Sequence, residues 1–225
     1  AQDMARHGPG PVIHLGDLVD RGPDCRGVLD LLIAGIAGGQ DWIALRGNHD
    51  RMFTRFLRDP WEPEPGLRAE LSWLHPRIGG AETLRSYGVA NAGDRPLAPV
   101  HAEALAVVPP AHAAFLDACP TLHLAGDCAF VHAGLRPGVA LDRQSETDLV
   151  WIREPFLSER GSFGPLVVHG HTAIEAATHH GNRLNLDSGA AYGGPLSAVV
   201  IEGREAALLT PQGRQRLAPQ SPRCA

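Results

Sequence analysis

The chain has 225 residues, 44% of them hydrophobic, and its 25 acidic and 20 basic residues give a formal net charge of -5. That length suffices for one α/β domain with a continuous core, and no linker-like shift in composition argues for a second. Every basic residue is an arginine, which excludes a lysine nucleophile, a Schiff base and a Walker-type phosphate loop.

The arginines are scattered along the chain, so no basic stripe points to a nucleic-acid partner. No segment reaches transmembrane length and no apolar secretory core follows a basic start, so no membrane partner is expected. Cys25, Cys119, Cys128 and Cys224 lack Cys-x-x-Cys spacing. A zinc ribbon or redox pair is therefore not expected, and the cytoplasm is the expected compartment. Nothing in the sequence fixes the oligomeric state.

In chain order, Val12 to Leu15 reads as a strand stopped by Gly16. Asp24 then caps a helix in which Val28, Leu31, Leu32 and Ile36 repeat at helical spacing. Trp42 to Leu45 is the next strand, ending in "RGNHD". Such a βαβ unit makes its strands parallel neighbours, with the loops at their carboxyl ends on one rim, so Asp17 and Asn48 are expected together. From Arg51 to about Cys119 the pattern is helical but broken by prolines, a helical insertion. Leu122–Leu124 and Ala129–His132 read as a hairpin ending in "HAG", and Leu166–Val168 as a short strand ending in "HGHT". The tail from Asn182 alternates strand-like runs with Gly-rich turns and reads as antiparallel. The expected fold class is mixed α/β, two sheets with helices outside, in a single domain over residues 1–225.

Four strand-end loops thus carry "GDLVDRG", "GNHD", "HAG" and "HGHT". Their carboxylates, amide oxygen and imidazoles form the ligand set of a divalent metal, with an arginine beside it. Each motif alone has an ordinary reading as a turn or a core histidine. Four at successive strand ends, each with glycines that admit close backbone approach, point to one site.

"GDLVDRG", "GNHD", "FVHAGL", "LVWIREPF", "VVHGHT" and "NLDSGAAYGGPLSAV" occur in the order of the bacterial phosphoprotein phosphatases, and the chain resembles these calcineurin-like metallophosphoesterases from about Val12 to Val200. The resemblance implies a two-sheet β-sandwich flanked by helices and two divalent metals about 3.5–4 Å apart, manganese first, with iron or zinc as alternatives. It implies that Asp17 bridges the metals and that Asn48, His132 and His171 complete the ligand set of the second metal. It makes His49 the general acid, Asp20 the group that holds its imidazole, and Arg21 the clamp on the phosphoryl oxygens. Arg153 in "WIREPF" is a second candidate phosphate contact. The implied reaction is hydrolysis of phosphomonoesters by a hydroxide that the metals activate.

Phosphoserine and phosphothreonine in proteins are the best-known substrates of this family, and the Asp20-Arg21-Gly22 triplet favours them over diadenosine tetraphosphate; small phosphoesters, which bacterial members also take, stand as an alternative. The first metal's motif, GDxHG, is not found in the sixteen residues before Asp17, where only Asp3 and His7 stand as poor substitutes. The simplest expectation is a chain shortened at its N-terminus and lacking its first strand. The alternative from another class is a pseudophosphatase that binds phosphate without turning it over. Asp50 stands where eukaryotic members have Glu. His169, two residues before His171, is expected on the same face as that histidine, His179 and His180 in solvent, and the remaining histidines in structural or surface places.

Overall fold

A computed structural model describes residues 10–220; Asp3, His7 and Cys224 lie outside them. The chain gathers into two compact units, one of residues 16–120 and one joining the segment up to Leu15 with everything from Thr121 onward. Strand β1, Val12–His14, belongs to the latter.

In the 16–120 unit, helix α1 runs from Cys25 to Ala37 and Asp24 caps it, its carboxylate accepting from the Gly27 N–H at 2.9 Å. The helix starts where expected, but its buried face is Cys25, Leu29 and Leu32, while Val28, Leu31 and Ile36 are exposed. Apolar residues nearly encircle this helix, so their periodicity alone does not choose a face. Strand β2 is Trp42–Ala44, and helix α2, Asn48–Arg58, begins inside the "GNHD" loop. The expected helical insertion follows as α3 (Gly80–Ser86), α4 (Leu97–Val107) and α5 (Pro110–Ala118). Pro110 sits at the first position of α5, where its missing N–H costs no helix hydrogen bond. Phe53 and Phe56 of α2 pack against Trp73, with ring centroids 5.3 and 4.6 Å apart, and anchor the loop between α2 and α3.

The other unit is built on a five-stranded sheet in the order β3-β4-β5-β7-β6, formed by Leu122–Ala125, Cys128–Val131, Leu166–His169, Arg183–Asn185 and Thr178–His179. Between β4 and β5 lies the short helix α6, Glu146–Trp151. A three-stranded antiparallel sheet follows: β8 (Val199–Glu202), β9 (Glu205–Thr210) and β10 (Gly213–Arg216). Strand β5 is buried on both faces, so it reads as a continuous apolar run. Leu166 and Val168 join Leu184, Val199, Ile201 and Ala206 between the two sheets. Val167 turns the other way onto Val131, Val150 and Phe156. This alternation makes the two-sheet sandwich.

The tail departs from the expected antiparallel pattern at one place. Strand β7 pairs parallel with β5, matching Val168 with Leu184, and antiparallel with β6. Strand β6 has only two residues, too few to show a period in the sequence. Its pairing also buries His179, which was expected in solvent, with the Gly181 N–H donating to its Nδ1 at 3.0 Å.

Candidate active site

The first group of functional side chains belongs to the 16–120 unit. Gly16 lies so close to Gly47 that a Cβ on it would sit 2.5 Å from the Gly47 nitrogen, and its φ of +85° suits only glycine. This contact brings the "GDLVDRG" loop against the start of α2, where the His49 N–H donates to the Asp17 carboxylate at 3.1 Å. Asp17, Asp20 and Arg21 all have positive φ, 55°, 73° and 60°. Non-glycine residues hold that conformation only where their surroundings fix it, as happens at functional sites.

Asp50 supplies much of the fixing. Fully buried, its carboxylate accepts from the N–H groups of Asp17 and Leu18, both at 2.8 Å, and of Gly47 at 2.7 Å. The acid in "GNHD" therefore welds the two loops together. Its place three residues after the N-cap Gly47 is the sequence signal for part of this role.

His49 and Asp20 form a buried dyad, with His49 Nδ1 2.5 Å from Asp20 Oδ2 and Nε2 4.0 Å from an Asp17 oxygen. Burial disfavours the charged ring, but the Asp17 carboxylate and the bond to Asp20 outweigh it and raise the His49 pKa above its ordinary value, against a smaller opposing effect of Arg21. Two further residues hold Asp20, and neither belongs to a recognisable motif: Thr83 of α3, whose hydroxyl donates at 2.7 Å, and Trp73, whose indole N–H donates at 2.9 Å. Arg21 is half-buried, its backbone N–H donating to the Gly79 carbonyl at 3.3 Å. Asn48 is buried as the first residue of α2.

The second group belongs to the other unit. His132 follows β4 directly and His171 follows β5 by two residues, and the Gly170 N–H donates to the His132 carbonyl at 2.8 Å. The two rings meet at 5.2 Å between centroids, with Trp151 5.7 Å from His171. His132 Nδ1 lies 2.7 Å from the Leu15 carbonyl oxygen. A carbonyl only accepts, so Nδ1 carries the hydrogen and Nε2 keeps its lone pair, the tautomer that suits a metal ligand. His171 has φ +63°, which breaks the strand's alternation. His169 accordingly packs elsewhere than expected, against Phe156 at 4.9 Å and within 3.3 Å of Arg183 Nη1. Arg153 is exposed in the turn after α6.

A calcineurin-like phosphoesterase model matches residues 2–200, and the chain belongs to that family, whose chemistry is metal-dependent hydrolysis of phosphoesters. Among solved structures it is similar to a candidate diadenosine tetraphosphatase, at 22% identity and a TM-score of 0.57, with 96% of this chain and 87% of that one covered. It is also similar to a cold-active protein-tyrosine phosphatase of a psychrophilic Shewanella species, at 16% identity and a TM-score of 0.58, covering 93% and 70%. At these identities the neighbours speak for the fold alone. No curated protein matches the chain. Among the described residues, no helix is long and apolar enough to cross a membrane.

Proposed function

We propose that the chain is a cytoplasmic phosphomonoesterase acting on phosphoserine and phosphothreonine in proteins, with Asp17, Asn48, His132 and His171 as ligands of a divalent metal, manganese first. The observation that carries the reading is the buried His49–Asp20 dyad. A seryl or threonyl oxygen leaves as a strongly basic alkoxide and needs a proton, whereas a nucleotide leaving from a polyphosphate is already a stable anion. A preset acid is of most use to the first kind of substrate. The unpaired buried thiols of Cys25, Cys119 and Cys128 suit a reducing compartment.

Carboxylate, amide and neutral imidazole donors suit manganese, iron or zinc, and the His132 tautomer leaves a lone pair for the ion. When bound, the metal supplies positive charge for the phosphoryl oxygens and a nucleophile derived from water near neutral pH. In this reading His49 acts as an imidazolium: Nδ1–H donates to the Asp20 carboxylate and Nε2–H is the proton for the leaving oxygen, the charged ring being favoured by the Asp17 and Asp20 carboxylates. Asp20 stabilises that charged ring and fixes its orientation. Arg21 presents a planar guanidinium to two phosphoryl oxygens, with Arg153 as a second contact. Asp50 keeps Asp17 in its strained conformation.

The test compares a phosphoserine peptide with diadenosine tetraphosphate on the manganese-loaded chain. Faster phosphate release from the peptide is expected, and His49→Asn should reduce it roughly 10²- to 10⁴-fold while leaving manganese binding nearly intact. Preference for the tetraphosphate, or peptide turnover indifferent to His49→Asn, would overturn the reading.

A further inference from the structure

The Asp20 carboxylate is held by more than the histidine it serves. Its Oδ2 lies 2.5 Å from His49 Nδ1 and 2.9 Å from Trp73 Nε1. Its Oδ1 accepts from the Thr83 hydroxyl at 2.7 Å and from the same indole at 3.2 Å. The Asp20 N–H in turn donates to Thr83 Oγ at 2.8 Å. That last bond occupies the hydroxyl as an acceptor, so its own hydrogen is directed to Oδ1. Thr83 and Asp20 thus close a two-bond ring that allows the carboxylate one orientation. In that orientation the Oδ2 side is shared between the indole and the imidazole. Asp20 and Thr83 side chains are buried, and no water is needed to complete the set.

The two donors are themselves fixed by packing. Trp73 stacks on Phe53, tilts against Phe56, and is 7% exposed. Gly80 opens α3 directly beneath the indole, where a Cβ would come within 2.4 Å of the Trp73 ring. The α3 residue Thr83 and the loop residue Trp73 therefore arrive as one preformed piece, and the same segment accepts the Arg21 N–H at Gly79.

We infer that Trp73 and Thr83 are positioning residues for the general acid: they orient Asp20 so that it presents one oxygen to His49 Nδ1, and through it they aim Nε2 of the ring. The inference rests on the proposed role of His49. It makes the helical insertion, which carries no readable motif, a working part of the catalytic apparatus. A small error in the aim of a proton donor is costly, because misplacement of about 1 Å costs roughly 100-fold in rate.

The experiment uses the full chain loaded with manganese and two substrates that differ in their need for an acid, phenyl phosphate and 2,4-dinitrophenyl phosphate. Thr83→Val and Trp73→Phe are expected to lower kcat for phenyl phosphate by about 10- to 100-fold and for the dinitrophenyl ester by less than about 3-fold, with KM unchanged. Thr83→Ser, which keeps the hydroxyl, should restore most of the loss. Equal losses on both substrates, or no loss on either, would overturn the inference. His49→Asn, run alongside, separates the two failures: if it shows no selective loss, the acid role itself falls; if it does and the Thr83 and Trp73 variants do not, only the positioning role falls. A readout independent of turnover is the hydrogen-bonded ring proton of His49 in proton NMR of the chain loaded with diamagnetic zinc in place of manganese, identified by its disappearance in His49→Asn. It should move or broaden in Thr83→Val and return in Thr83→Ser; an unmoved resonance would contradict the positioning role.

Discussion

The 16–120 unit and the sheet-based unit fix their functional side chains by different means. In the first, Asp17 and Asp20 sit on a loop with left-handed backbone and His49 in the first turn of α2, and the two carboxylates are held by side chains distant in sequence, Asp50, Trp73 and Thr83. In the second, His132 and His171 sit at the ends of buried parallel strands and are held by backbone carbonyls and ring contacts. In the roles proposed for them, the difference teaches that the proton-handling dyad is aimed by a chain of oriented polar partners, whereas the imidazoles proposed as metal ligands rest on a rigid base, with the His132 tautomer fixed by a backbone carbonyl.

The sharpest way to break this contrast is Asp50→Ala, which strands three backbone N–H groups in a buried place. Each unsatisfied donor costs about 1–3 kcal/mol, so a loss of at least about 3 kcal/mol is expected in urea unfolding. An unchanged midpoint would mean that the loops do not depend on Asp50. On the other side, His171→Ala removes a half-buried ring from a rigid base. It should weaken manganese binding by roughly 100-fold or more, since loss of a ligand's outer partners alone costs 10- to 100-fold. The unfolding midpoint should stay close to that of the parent, and unaltered manganese titration would remove His171 from the ligand set.

Gly80→Ala sharpens the same comparison by pressing on the Trp73 indole. An overpacking cost of about 1–3 kcal/mol is expected, together with a red or blue shift of tryptophan fluorescence; a variant as stable as the parent would show that the indole has room to move. The smallest effect concerns pH. Burial first, and then the Arg183 and Arg160 charges, lower the pKa of His180 to about 4. The unfolded ring takes up its proton near pH 6.5 while the folded one waits until about pH 4, so the unfolded state binds more protons in that window. Stability is therefore complete above pH 6.5 and declines as pH falls toward 4. His180→Gln should flatten the decline in urea midpoint over this range, and a steeper decline would contradict the assignment.

The sequence carried much of this architecture because strand ends and caps are local. Asp24 caps α1 as its position before an apolar helix required, and Leu166 to Val168 read as a buried strand because both of its faces are covered. What escaped depended on neighbours far along the chain. The buried face of α1 is chosen by what packs on it, so Leu31 was expected inward and is 61% exposed. The short β6 leaves no period, which hid the parallel pairing of β7. In the candidate site the loop residues stood out because charge and glycine follow directly on apolar strands. Trp73 and Thr83 did not, since a tryptophan and a threonine in a Pro-broken helical stretch have no spacing that ties them to Asp20, 53 and 63 positions away.

The most direct test of the central claim is to measure bound manganese per chain and phosphoserine-peptide hydrolysis on one sample, before and after a chelator and again after manganese is restored. Metal bound in whole-number stoichiometry, turnover lost with the chelator and turnover recovered with manganese are the predicted results. Hydrolysis that survives metal removal, or a fully loaded chain that releases no phosphate, would contradict a metal-dependent phosphoesterase.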